Sequence, residues 1–299
     1  MRLPTGKRKS RRSPRPDKLA VARSTQQMRR ALASARRRGR SIGLVPTLGA
    51  LHAGHLSLLR TARKECDYVV VSVFVNPTQF SASEDLAHYP RPWKDDLELC
   101  RGEKVDLVFA PSEQEMYPPG FCTWVQVSGL GDILEGEYRP GHFRGVATVV
   151  LKLLSIVAPD RAYFGKKDYQ QLLVVQQMVR DLGLPVRIRA CPTVREPDGL
   201  ACSSRNQYLT PEERQRALVL FRGLSLAHDM VAAGERDASD IRQRVRDAVE
   251  STAGCVLDYA ELVDPQTLEV VTSLDRPTLA ALAVRVGKTR LIDNLLLRP

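Results

Sequence analysis

Apolar positions along this chain follow two rhythms that take turns. Compact apolar runs at 41–45, 68–75, 105–110, 161–164 and 185–196 read as strands. The run at 68–75 is nearly all β-branched or aromatic, as a parallel strand covered on both faces must be. Between the runs, helical spacing marks 22–38, with Gly39 as C-cap, then 55–64, 95–101, 143–157 and 169–182. In the fourth of these, Val146, Val149, Val150, Leu153 and Val157 share one face. Strand, helix and strand over 41–75 predict a βαβ unit, and its repetition predicts a largely parallel sheet. Residues 81–96 are polar, include Pro90 and Pro92 and show no period, which predicts a mobile loop beside the carboxyl end of the second strand, a candidate lid. Past a turn at Pro197-Asp198-Gly199, Thr210-Pro211-Glu212-Glu213 opens a helix with a capping box. Helices at 211–233 and 238–252 and strands at 257–263 and 280–286 complete a smaller α/β unit. The boundary between the units falls near Thr193.

Composition bounds this picture. A length of 299 residues fits two domains at about 150 residues each. The 43% hydrophobic and 26% charged residues are those of a globular protein. No apolar run approaches the ~18 residues of a membrane span. The six cysteines form no C-x-x-C pair, which suits reduced thiols and a cytoplasmic location. Of the net charge of +11, residues 1–16 contribute seven Lys or Arg and no acid. With Pro4, Pro14 and Pro16 and almost nothing apolar, residues 1–18 are expected to form a disordered, dispensable basic tail. Such a tail is a solvated arm or an anionic-surface contact.

The candidate chemistry lies where strands end. His52-Ala53-Gly54-His55 follows Pro46-Thr47-Leu48-Gly49 at a strand-to-helix turn, so two imidazoles stand at a helix N-terminus, where free N–H groups and the dipole attract anions. Gly54 is expected to let a phosphate approach the backbone. A bare His-x-x-His pair is also half of many metal sites, but no Glu follows His52 and His88, His142 and His228 are scattered, so no metal site is identified. Asn76-Pro77-Thr78-Gln79-Phe80, Gly165-Lys166-Lys167-Asp168 with Gln170 and Gln171, and Cys202-Ser203-Ser204-Arg205-Asn206 end other elements. The last offers two hydroxyls and a guanidinium suited to phosphate. Neither a Walker A loop nor G-x-G-x-x-G occurs.

Taken together, residues 43–55, 73–80, 163–171 and 192–206 resemble the pantothenate synthetase (pantoate–β-alanine ligase) family, from about Leu19 to the C-terminus and most strongly up to Leu209. His-x-Gly-His alone is shared by a wider nucleotidyltransferase superfamily; the segments around Gln79 and Lys167 narrow it. The resemblance implies a Rossmann-like ATP- and pantoate-binding domain at 19–193 and a smaller C-terminal α/β domain at 194–299 that closes the site. It implies attack of the pantoate carboxylate on the α-phosphate of Mg²⁺-ATP, then attack of β-alanine on the pantoyl adenylate, in a homodimer. His52, His55, Lys167 and Arg205 would be catalytic, with His55 the better-placed proton donor and Lys167 neutralising developing phosphate charge. ATP would contact Leu48, Gly49, His52, Gly54, His55, Gly165, Lys166, Lys167, Asp168, the backbone at Val194, and Cys202, Ser203, Ser204 and Arg205. Pantoate and β-alanine would meet Gln79, Gln171, Asn76, Pro46 and Thr47, with Tyr89 and Arg139 helping to close the site. The family usually has Met at position 48, Met or Leu at 202 and often an acid at 166; here these are Leu48, Cys202 and Lys166. Cys202 is expected to make activity thiol-sensitive. A relative that only transfers a nucleotidyl group would differ in not needing both other substrates. A nucleic-acid-binding protein is disfavoured because basic and aromatic residues do not interleave.

Overall fold

A computed structural model of the chain describes residues 19–82 and 84–299; the tail expected at 1–18 lies outside the described residues. The first unit runs β1 (Ala20–Ala22), α1 (Thr25–Arg37), β2 (Ile42–Thr47), α2 (Ala53–Glu65), β3 (Tyr68–Val73), α3 (Trp93–Gly102) and β4 (Leu107–Phe109). Two single turns follow, α4 (Glu113–Met116) and α5 (Glu135–Tyr138), then α6 (His142–Val157), β5 (Arg161–Gly165), α7 (Tyr169–Asp181) and β6 (Arg187–Cys191). All neighbouring strands pair in parallel, in the order β1-β4-β3-β2-β5-β6.

Alternation within the strands sorts their side chains to two cores. Ile42, Leu44, Val70, Ala162 and Phe164 join the core formed with α1, α6 and α7. Val45, Val69, Val71 and Tyr163 join the core formed with α2 and α3. Both faces are covered, which is why these strands read as unbroken apolar runs. The chain steps from β2 through β3 to β4, then returns to lay β5 along the other side of β2. That reversal opens a crevice beyond the carboxyl ends of β2 and β5, the ligand position of open α/β sheets.

The second unit holds α8 (Pro211–Ala217), α9 (Val219–Ala232), α10 (Ala238–Glu250), β7 (Cys255–Val263), β8 (Thr278–Val286) and β9 (Thr289–Leu297). Its strands form an antiparallel β7-β8-β9 sheet. One face packs beneath α9 and α10. The other meets Leu130, Ile133, Tyr169 and Leu173 of the first unit.

Four expectations change. The helix expected at 22–38 begins only after Ser24, whose Oγ accepts the Gln27 N–H; Ala22 instead ends β1, too short and alanine-rich to show a period. The loop expected at 81–96 contains a 3₁₀ turn at Asp85–Ala87 and the first turn of α3. The helix expected at 211–233 divides at Leu218 into α8 and α9. Strand β9 was not expected, because Asp293-Asn294 interrupts its apolar alternation; Asp293 is nevertheless buried, paired with Arg195.

Candidate active site

The crevice is organised first by the turn that leaves β2. Thr47 Oγ1 donates to the Ser72 carbonyl at 2.7 Å and accepts the Gly49 N–H at 3.1 Å. Gly49 at φ +94° and Ala50 at φ +50° then reverse the chain. The Asp96 carboxylate, on α3, accepts the Ala50 and Leu51 N–H groups at 3.0 and 2.7 Å and pins this reversal. His52 is the N-cap of α2: its Nδ1 accepts the Gly54 N–H at 3.2 Å, while His55 Nδ1 accepts the His52 N–H at 3.4 Å. The imidazole pair thus forms a reciprocal capping box, with ring centroids 4.1 Å apart.

That arrangement fixes the chemistry of the rings. With each Nδ1 accepting, the neutral imidazole carries its proton on Nε2. Burial, reinforced by Lys167, lowers the His52 pKa to about 4. Burial, reinforced by His52, lowers that of His55 to about 3. Both rings are therefore uncharged near neutral pH, each with an Nε2–H to donate. Gly54 is required for a closer reason than the approach of a phosphate: a Cβ there would stand 2.8 Å from His52 Cε1.

A cavity of about 220 Å³ opens beside the pair. Pro46, Thr47, Leu48, His52, Gly54 and His55 line it from the turn, Asn76 and Gln79 from beyond β3, and Gly165, Lys167, Asp168 and Gln171 from beyond β5. Val194, Cys202, Ser203, Ser204 and Arg205 close one wall, with Tyr89 and Arg139 also on the lining. Phe74, Val146, Val150 and Leu153 supply an apolar part. Two expected residues stand apart. Gly49 faces Asp96, and Lys166 is exposed, offering its carbonyl to Asn294.

Several lining side chains are held by neighbours that the sequence did not single out, Tyr117, Gly145, Glu84 and Asp85 among them. Asn76 Nδ2 donates to Gln79 Oε1 at 3.0 Å and to the Gly145 carbonyl at 3.3 Å, while Asn76 Oδ1 accepts from Tyr117 at 2.7 Å. Gly145 lets α6 press against this turn, since a Cβ there would overlap the Thr78 carbonyl. His142 Nδ1 donates to the Gln79 carbonyl at 2.8 Å and its Nε2 accepts from Arg139 at 3.1 Å. Burial, then the Arg139 charge, lowers the His142 pKa to about 3. Glu84 binds the Arg139 guanidinium, Asp85 takes Arg205 through bonds of 3.0 and 2.8 Å, and Tyr89 meets Ser204 Oγ at 2.9 Å. The polar residues that made 81–96 look like free loop are thus the ones that moor it. The adjacent Glu84-Asp85 pair, two acids in a chain of net positive charge, was the available signal.

A Rossmann-like parallel sheet with a donor-lined crevice at its topological reversal defines the class, an open α/β protein that takes its ligand at the carboxyl ends of the strands. The model of the family described as Pantoate-beta-alanine ligase matches residues 20–296. The chain is 56% identical to the pantothenate synthetase of Moorella thermoacetica over 270 residues, 90% of this chain and 95% of that protein. Against the Thermotoga neapolitana enzyme the figures are 51% over 279 residues, 93% and 100%. A solved pantothenate synthetase from Thermus thermophilus superposes with a TM-score of 0.90 at 46% identity, covering 94% of this chain and 100% of that one. The pantoate–β-alanine ligase of Francisella tularensis, solved in complex with β,γ ATP and β-alanine, gives 0.78 at 36%, covering 93% and 98%. This chain belongs to the pantoate–β-alanine ligase family, whose reaction is the ATP-dependent condensation of pantoate with β-alanine.

Proposed function

We propose that this cavity binds ATP and pantoate together, forms a pantoyl adenylate and passes the pantoyl group to β-alanine. The observation that carries the reading is the sharing of one cavity by two imidazole Nε2–H donors, Lys167 and the amides of Gln79 and Gln171. A pantoate carboxylate oxygen attacks the α-phosphorus and the bond to pyrophosphate breaks. The β-alanine amine then attacks the activated carbonyl, and AMP leaves.

Neutral His52 and His55 donate hydrogen bonds to the α-phosphate and departing pyrophosphate without needing to gain or lose a proton. Lys167, Ser203, Ser204 and Arg205 neutralise and clamp the phosphates, the kind of preorganised electrostatics that is often the largest catalytic contribution. Gly165 and Asp168 face the ribose and the Val194 backbone the adenine, with Leu48, Gly54 and Cys202 forming the walls. Gly49 and Lys166 act through backbone alone. Gln79 and Gln171 take pantoate's hydroxyls and carboxylate, and the apolar part of the lining suits its dimethyl carbon. Asn76, Pro46 and Thr47 shape that end, and Tyr89 and Arg139 help the second unit, 194–299, to close on the first.

Mg²⁺ would arrive on the nucleotide: Asp168 is the carboxylate on the lining, and among the described residues no three His, Cys, Asp or Glu gather as a cation cage. That donor set suits an ion held mainly by phosphate oxygens and water. We further propose a cytoplasmic homodimer; the six cysteines, none disulfide-bonded, suit a reducing compartment.

The test is release of pyrophosphate and AMP from ATP with pantoate and β-alanine omitted in turn. A stoichiometric pyrophosphate burst with pantoate alone, and AMP only with the full mixture, is the expected result. AMP or pyrophosphate formed without pantoate would instead indicate a nucleotidyl-transferring relative.

A further inference from the structure

We propose that Asn294, on the last strand of the second unit, is a positioning residue for Lys167. The inference rests on the role given to Lys167 above. The turn Lys166–Asp168 has no side-chain cap of its own. It is held from the other unit, where Asn294 Nδ2 donates to the Lys167 carbonyl at 2.7 Å and the Lys166 carbonyl at 2.9 Å. Two carbonyls facing one amide leave a single sensible orientation, since Oδ1 turned toward them would set acceptor against acceptor.

Asn294 is itself immobilised. Its N–H donates to Asp293 Oδ1 at 2.8 Å and its carbonyl accepts from Arg195 Nη2 at 3.4 Å. Arg195 and the buried Asp293 carboxylate pair at 2.5 and 3.0 Å. Arg195 adjoins Val194 on the cavity wall, so one dipeptide of β9 fixes two edges of the site at once. Asn294 does not line the cavity of the imidazole pair. Its effect reaches the reacting phosphate through where the Lys167 backbone places the ammonium, and a misplacement of about 1 Å can cost a factor on the order of 10² in rate.

A double-mutant cycle tests this, read as the single-turnover rate of pyrophosphate release from ATP and pantoate. Asn294→Ala, and the equally shaped Asn294→Asp, should each slow that rate by roughly tenfold to a hundredfold. In a Lys167→Ala background the same changes should cost less than about twofold, because the group they position is gone. A full Asn294 effect persisting without Lys167 would show a merely structural tie and overturn the proposal, as would an Asn294→Ala enzyme as fast as the parent. If Lys167→Ala alone is as fast as the parent, the role of Lys167 fails first and the proposal falls with it. Should Asn294→Ala not fold, the cycle is run with Asn294→Asp and Asn294→Ser.

Discussion

Gln170 and Gln171 are adjacent and identical, and the structure gives them different work. Gln170 is buried, with Nε2 donating to the Leu130 and Ile133 carbonyls at 2.7 Å each, while Gln171 lies on the cavity. Only helical phase separates them, which no motif spells out. The histidine pair was legible as a candidate site, and it lines the cavity, but it was not legible as its own cap. His55→Ala should therefore do more than slow adenylation by a factor on the order of 10²–10³. Through the lost cap it should also lower stability by about 0.5–2 kcal/mol, read from denaturant midpoints. Acid should act through the same rings. An unfolded histidine takes a proton near 6.5, whereas His52, His55 and His142 in the fold do so only near 4, 3 and 3. Between those values the unfolded chain binds more protons, so stability rises with pH. Denaturant midpoints should be flat above about pH 6.5 and fall steadily as pH drops toward 3. Cys202 is buried in the wall and its burial raises the thiol pKa, so alkylation should be slow and ATP should block it. Exposed Cys122 should label first without loss of rate; activity lost in step with Cys122 would contradict this.

Among elements, the βαβ unit at the heart of the site was readable because apolar runs and helical spacing do not overlap there. Close approach of backbones was not, since glycine carries no pattern. Gly145 on α6 is the case in point: Gly145→Ala should push the helix off the turn at Thr78 and Gln79 and raise the KM for pantoate several-fold more than that for ATP. The moored segment at 84–89 invites an opposite kind of change. Arg205, proposed to clamp the phosphates, is held by Asp85 in a pair roughly a quarter exposed on both sides. Asp85→Asn should free Arg205 for the phosphates and lower the KM for ATP, read from initial rates. A higher KM would mean that Asp85 holds Arg205 in its binding pose.

Across the whole molecule, the parallel sheet and its family were legible, and the manner in which the second unit grips the first was not. The grip includes Asn294, a polar residue that breaks the alternation of β9 because it serves the neighbouring unit, while Asp293 beside it holds Arg195 within its own unit. A strand whose signal is altered by its partner cannot be read from its own residues. The basic tail is a separate matter of charge. Removing residues 1–18 should leave kcat and both KM values within about twofold while shortening retention on a cation exchanger, which assays of the full and trimmed chains would compare directly.

Because the two imidazoles make the hydrogen bonds that start α2, fraying of that helix and dismantling of the site are one event. The N–H groups of His52 and Gly54, each bonded to a ring, are built-in reporters of it. Their exchange with deuterated water counts how often the resting protein loses its own machinery, before any substrate is added.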